Sequence, residues 1–398
     1  MGTSGRGRTA PPALLLAGLL SAGVLVTGCS PAGPAPAPVP DRGRTPSALP
    51  RPTAPPPGRP TARAAVPAAA CEVGLPAAWR AAFGAGELRA PAAERAVLSD
   101  AGPGWTAVQL TGAGQRRAVL VRHGAAPRTL LAFADPVEHQ LLAADFDGVR
   151  WAAFAVLEGR TLDSPWSLYV WDAGTGKARR VARADRPGPL PRPVLLGGTV
   201  HWAQGVGGGK ATVYAAAAAG GAPRPLRTGV PDTPFAAGEL LVWREAAGSG
   251  TRLAAVSLKD GRPAALPAPL AALRDIRSVV SDGRTWAWVA GESEPRLMVW
   301  RTGDPEPVAV VSGSPAVDGM DQLRIGGRLV TWRTPETSYA LDLAAGAYAR
   351  ITPAYGYAQA GGGSLAVAYT VGDAKARGSR SVIQVVDAGR LPPLPGCG

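Results

Sequence analysis

The sequence predicts an all-β protein, a seven-bladed β-propeller of four-stranded antiparallel blades, preceded by a signal peptide and a disordered Pro/Ala-rich linker. Three observations carry this. A glycine-marked turn returns at Gly104, Gly148, Gly198, Gly238, Gly283, Gly327 and Gly363, at spacings of 44, 50, 40, 45, 44 and 36 residues. Soon after each comes an aromatic or apolar strand centre: Val108, Trp151, Trp202, Trp243, Trp288, Trp332, and Val367 or Tyr369. The composition, with 52 Gly and 41 Pro, suits many turns better than long helices. A period near 40–45 residues with several short strands in each repeat is the mark of a propeller, and a pair of stacked sandwiches would show no such steady period.

The first 28 residues read as an export signal. Arg6 and Arg8 precede an apolar segment from Pro11 to Val26, and Val26-Thr27-Gly28 lead into Cys29. The apolar run is too short and too punctuated for a stable membrane span. Small residues directly before a cysteine resemble the bacterial lipobox, which implies cleavage before Cys29 and a diacylglycerol on its thiol. Two acyl chains anchor stably where one is marginal. Residues 29–70 are a tract of Pro, Ala, Arg and Thr with scarcely any large apolar side chain. Such a tract buries too little surface to offset its ordering entropy, so a disordered stalk of at most roughly 120 Å is expected.

The folded domain is expected over 71–398. Pro76 to Gly84, with Trp79 and Phe83, suits one or two helical turns. Gly86 to Ala90 is expected to complete the last blade, because the tail Leu391-Pro392-Pro393-Leu394-Pro395 is a poor strand. The second repeat is the clearest. Leu141 to Asp145 is its innermost strand, Asp147-Gly148 turns into a strand with Trp151, Phe154 and Val156, and a polar loop leads to Leu168 through Asp172. Gly174-Thr175-Gly176-Lys177 turns again into an outer strand from Ala178 to Ala182. The fourth repeat gives Leu240 to Trp243, Leu253 to Leu258 and a short outer strand from Pro263 to Leu266; the fifth and sixth follow the same plan. Large apolar residues alternate with small ones, as in strands packed on both faces, so the eleven Trp are assigned mainly to the core between blades. Cys71 and Cys397 stand at opposite ends of this domain and read as a disulfide in an oxidising compartment. Closing so long a loop contributes at most roughly 5–6 kcal/mol.

The formal net charge is +13, yet residues 1–70 hold seven Arg against one Asp, which leaves +7 for the rest. No basic run is interleaved with stacking aromatics; Arg179-Arg180 with Arg183 falls on an alternating strand and reads as a solvated face. Nucleic acid is therefore not an expected partner.

Residues 91–397 resemble the bacterial relatives of WD40 repeats, the TolB-like and YVTN-type propellers, through Leu168-Tyr169-Val170-Trp171-Asp172-Ala173-Gly174-Thr175-Gly176-Lys177. Residues 76–90 also resemble the opening of lipoproteins of GC-rich Gram-positive bacteria. The resemblance implies a binding or scaffold module. The Gly-His dipeptide and structural His of true WD40 repeats are missing, so no family binding site transfers.

Chemistry-bearing motifs are sparse. His123, His139 and His201 fall in different repeats without ligand spacing, so neither a metal nor any cofactor beyond the Cys29 lipid is expected. Gln204 through Ala211 lacks the first Gly and the Ser/Thr of a phosphate loop, and no Gly-x-Ser-x-Gly elbow is present. Loop carboxylates are the open case: Glu158, Asp163, Glu292, Glu294 and Asp373 share one expected face, and a glycosidase needs only two, correctly separated. That makes a cell-envelope carbohydrate-active enzyme the alternative to a binding module. The turns on one end of the ring are short and alike, whereas loops on the other vary. Arg160, Asp163 and Trp166, Glu292 and Glu294, Asp373, Lys375 and Arg377, and Tyr355 with Tyr357 are the expected ligand-binding set. The expected partners are the membrane, through the lipid, and a protein or cell-envelope glycan on the loop face.

Overall fold

The computed structural model describes residues 69–397 apart from 91–93, 113, 134–138, 160, 186–187, 230, 249 and 373–379. Cys29, Arg160, Asp373, Lys375 and Arg377 lie outside the described residues. The described residues fall in one compact unit.

Seven sheets follow one another in chain order, each built of antiparallel strands that begin at the centre and step outward. Their innermost strands, strand a of blades 1 to 7, are Arg95–Gly102, His139–Phe146, Val194–Leu196, Phe235–Ala237, Val279–Ser281, Asp321–Gly326 and Tyr357–Gly361. All seven marker glycines sit in the a–b turns, and all seven have positive φ, from 61° at Gly327 to 91° at Gly363. A side chain there would be strained, which is why this position repeats as glycine. Aspartates finish the turns. Asp147 Oδ1 accepts the backbone N–H groups of Val149, Arg150 and Trp151, and Asp282 Oδ1 accepts those of Arg284 and Thr285. Asp172 and Asp342 cap the c–d turns and are bound by an arginine from the neighbouring a–b turn: Arg150 to Asp172 at 2.8 Å, Arg328 to Asp342 at 3.0 Å. One device thus ties the two turns of a blade together.

The core is divided into seven apolar clusters, each lying between two adjacent blades, so the ring has as many seams as blades. Ten of the eleven Trp are buried; Trp151 is half-buried, with the Arg150 guanidinium 4.4 Å over its ring.

Three blades depart from four full strands; blade 6 gains a fifth, Cys71–Glu72, which runs parallel to its outer strand Ala347–Arg350. In blade 7, strands Tyr357–Gly361, Ser364–Val371 and Arg380–Asp387 are completed by the N-terminal segment: Glu87 bridges Gln384, Leu88 N–H donates to Ile383 O and Val385 N–H to Gly86 O. The ring therefore closes with an early segment as the outer strand of the last blade, as expected from Gly86 to Ala90. In blade 4, the expected outer strand from Pro263 to Leu266 is only a bridge, Val256 to Pro263, with one further bond from Ala264 N–H to Ala255 O. Pro263 and Pro267 have no N–H to extend the ladder, and Pro267 instead starts a short helix, Ala268–Ala271, whose Leu270 enters the core between blades 4 and 5.

The helix Ala77–Ala85 buries Trp79 and Phe83 against Leu391 and Leu394, and Trp79 Nε1 donates to Pro392 O. Cys71 and Cys397 form a disulfide with Cα atoms 5.8 Å apart. It lies beneath the c–d turn of blade 6, where Cys71 N–H donates to Gly346 O. Both ends of the described chain are thus held at the turn end of the ring.

Candidate functional site

Strand a of every blade faces the axis, so the axis is where seven chain segments meet. At the turn end they meet backbone to backbone. A Cβ added to Gly361 would stand 2.6 Å from the Ala101 carbonyl oxygen of blade 1, one on Gly326 2.7 Å from Gly361 N, and one on Gly283 2.7 Å from Gly238 N. Side chains do not fit between these turns.

At the loop end the strands diverge around a cavity of about 530 Å³. All seven blades contribute: Leu98 and Ser99, Leu141 through Ala143, Leu190 through Arg192, Asp232 through Phe235, Ser278 through Val280, Gln322 through Arg324 with Arg333, and Tyr357 with Gln359. Leu162, from the b–c loop of blade 2, reaches its rim. Its size falls within the range of small-molecule sites.

The walls are laced between blades by hydrogen bonds. Ser99 Oγ donates to Leu141 O at 2.7 Å, Thr233 Oγ1 to Leu190 O at 2.9 Å, and Gln359 Nε2 to Ser99 O at 2.9 Å. Tyr357 Oη donates to Leu98 O. Arg244 bridges blades 4 and 5, donating to Ile276 O while pairing with Asp232. Below the mouth, Asp145 Oδ2 accepts Leu195 N–H at 2.7 Å and Oδ1 accepts Phe146 N–H at 2.9 Å. Burial, with the Asp100 charge beside it, raises the Asp145 carboxyl to about 7 in spite of these donors.

Three of the a strands carry a β-bulge, at Leu98/Asp100, Leu141/Ala143 and Asp321/Arg324. A bulge re-aims the side chains that follow it, and here it brings charged residues to a wall that alternation would have kept apolar. Among the described residues three non-glycine residues take positive φ, and all are at this end: Asp275 and Tyr355 in segments leading into strands a, and Gln322 in the bulge of blade 6. Such strain persists only where the surroundings impose it.

Arginines dominate the polar chemistry of the mouth. Arg324 donates from Nη1 to Leu323 O, but its Nε is buried with no hydrogen-bond partner, as are Arg333 Nε and Gln359 Oε1. Burial and the repulsion of Arg192 push the Arg324 guanidinium down to about 9, against the attraction of Asp100 and Asp321. The Tyr357 hydroxyl is pushed up by burial and by Asp100.

The residues expected from sequence are distributed differently. Trp166 is not a loop residue: it opens strand c of blade 2 and is 4% exposed in the core between blades 2 and 3. Its expected place failed because the polar loop ends one residue earlier, at Pro165. Tyr357 lies on strand a of blade 7 rather than in an inter-blade loop, and there it lines the cavity. Tyr355 is 78% exposed in that loop. Asp163, Glu292 and Glu294 are exposed on b–c loops. Asp163 belongs to blade 2 and the two glutamates to blade 5, as far apart as a ring of seven allows. Glu158 is already engaged, accepting from Ser167 Oγ at 2.6 Å and facing Arg183 at 3.3 Å. The described carboxylates of this set thus divide between the b–c loops of two blades on opposite sides of the ring.

Sequence reading missed Arg192, Arg324, Arg333, Gln359, Asp100 and Asp145. The signal was present. Asp100, Asp145 and Arg324 each stand three or four residues before a marker glycine, on the innermost strand, where an apolar residue would be the ordinary choice.

No family model matches the sequence, and no match to a curated protein reaches significance. Solved structures share the fold. The chain is similar to a prolyl endopeptidase at 14% identity and TM-score 0.52, covering 81% of this chain and 50% of that one. It is also similar to the β-propeller domain of the Trilobed protease from Pyrococcus furiosus, with 12% identity, TM-score 0.49, and 69% and 91% of the two chains covered. TolB from Acinetobacter baumannii is similar at 11% identity and TM-score 0.38, over 73% and 80%. The chain thus spans half the length of the prolyl endopeptidase, and the likeness is one of propeller architecture. It is a seven-bladed propeller with TolB and peptidase propeller domains among its structural neighbours.

Proposed function

We propose that the protein is a membrane-tethered extracytoplasmic binding module, held by diacylglycerol on Cys29, that docks a protein or cell-envelope glycan at the loop end around the channel mouth. The observation that carries this reading is the asymmetry of the axis: a cavity walled by all seven blades opens at one end, while a–b turns abut at the other. Variable loops on a rigid scaffold are where recognition ordinarily sits.

The test is capture from detergent-solubilised membranes with the full chain. The wild type should fractionate with membranes and retain a partner. Cys29→Ser should move the protein out of the membrane fraction, and replacing 159–164 with Gly-Ser should lose the partner while the Tm stays unchanged. An acyl-free mature N-terminus in mass spectrometry would overturn the anchoring. Capture that survives the loop replacement but is lost on changing the 173–176 turn would place the site on the wrong end.

A further inference from the structure

The channel mouth combines a ring of aliphatic walls with a cationic edge whose hydrogen-bonding capacity is unspent. Three guanidiniums face it, Arg192, Arg324 and Arg333, from blades 3 and 6. Among the described residues, the Arg192 and Arg333 side chains have no hydrogen-bond partner, and Arg324 has only the Leu323 carbonyl. Two of the unmet donors, Arg324 Nε and Arg333 Nε, are buried, and a buried donor left unmade is costly. The opposing charge within reach is Asp100 and Asp321, since Asp232 is taken by Arg244, so one positive charge remains over. Burial above all, and the Arg192 charge beside it, disfavour the charged Arg324 guanidinium. A bound anion would relieve both faults at once.

We propose, building on the binding role above, that this mouth takes the terminal carboxylate of an apolar peptide, with the carboxylate held by Arg324 and Arg333 and the side chains lying against Leu98, Leu190, Phe235 and Val279. A planar carboxylate matches the fork of a guanidinium, which offers two parallel N–H donors where an ammonium offers a point charge. The walls select the rest of the ligand. Aliphatic side chains surround the arginines, whereas sugars stack on flat aromatic faces, and the cavity's own aromatics, Phe235 and Tyr357, belong to different blades. Tyr357 is moreover fixed by its bond to Leu98 O, and Gln359 Oε1 stands as an unused acceptor for a peptide N–H.

The experiment is isothermal titration of the full chain in detergent with acetyl-Leu-Leu as the free acid, as its C-terminal amide, and with glucuronic acid as the glycan-type carboxylate. The free acid should bind, and the amide should bind about tenfold or more weakly, since a charge-assisted pair is lost. Arg324→Met and Arg333→Met should each weaken the free acid by about as much while leaving the already weak amide unmoved. Replacing a partly desolvated cation by an apolar chain of similar length is tolerated by folds in general, and Arg333→Met, at the end of strand b, is the milder of the two should Arg324→Met fail to fold. Equal binding of acid and amide, or an unchanged acid affinity in a folded Arg333→Met protein, overturns the proposal. Tighter binding of glucuronic acid than of the dipeptide overturns it in favour of a glycan. If no dipeptide binds but the membrane partner is still captured through the 159–164 loop, this inference fails and the binding role stands; loss of both removes the two together.

Discussion

At the turn end of the ring, neighbouring blades touch through glycine backbone; at the loop end, the same strands face each other across a cavity through side chains. The first end is closed by turns. Its aspartates cap turns, its arginines pair with those aspartates, and its turns approach closely enough to exclude a Cβ. Among the described residues, both ends keep some buried polar atoms unpaired, Trp105 Nε1 and Trp171 Nε1 near the turns, but only the second end leaves buried guanidinium donors unpaired, and it carries the three non-glycine residues at positive φ and three a-strand bulges. A fold under selection for stability alone would satisfy both ends alike. The difference teaches that backbone strain and unpaired buried charge were tolerated at one end, and that is the end where function is to be sought.

If the turn end is the stabilising one, the largest losses should come from changes made there. Opening the disulfide is the first. Cys397→Ser releases the tail that covers Arg328 and Trp79, whose partners Ala388, Leu391 and Pro392 lie on it. The expected cost is about 5 kcal/mol, read as a fall in the midpoint of urea unfolding, and reducing agent should reproduce it in the wild type. Next comes Gly361→Val, where a Cβ 2.6 Å from the Ala101 carbonyl forces blades 7 and 1 apart; about 3 kcal/mol is expected in the same assay. Partner capture by either variant, measured well below its unfolding midpoint, should match the wild type. Loss of capture in a still-folded Gly361→Val protein would break the division of labour between the two ends.

The two ends were unequally legible in the sequence, for the same physical reason. Turn chemistry is local: positive φ demands glycine, and the aspartate directly before it caps the turn, so Gly148 or Gly283 could be read from a few neighbours. From seven such turns came the blade count, the strand order and the seam. Cavity chemistry is not local. Arg192, Arg324 and Arg333 become one cluster only when blades 3 and 6 face a common axis, and no spacing along the chain records that. Bulges add to the difficulty, because a one-residue slip reverses which face a side chain takes, and three of the a strands contain one. Trp166 failed in the opposite direction. Its neighbour Pro165 made it look like loop, while the large inter-blade core took it as the first residue of strand c.

The smallest effect expected is a pH dependence that belongs to the interior rather than to the mouth. Asp145, half-buried between blades 2 and 3 below the cavity, has its carboxyl raised to about 7 in the fold against an ordinary 3.8. Desolvation is the chief cause; Asp100 and Asp147 add repulsion, while the N–H groups of Leu195 and Phe146 pull the other way. The native state therefore holds a proton that the unfolded chain has already given up above pH 4 or so. Because the native state binds more protons in that window, stability must fall as the pH rises through it. The stabilisation is full at low pH and lost through about 7, so between pH 5 and 8 this one group should lower the unfolding free energy by about 2–3 kcal/mol. Asp145→Asn keeps the shape without the titration, and its stability should lose that slope over the same range. An unchanged slope in the Asn variant would assign the dependence to another group. Affinity for the carboxylate probe should in turn stay flat over this range when Asp145 is replaced, because the arginines of the mouth keep their charge up to about 9 at Arg324. A change in probe affinity that tracks Asp145 would show instead that the interior and the mouth are electrostatically one site, and that the sharp contrast between the two ends of the ring does not hold along the axis.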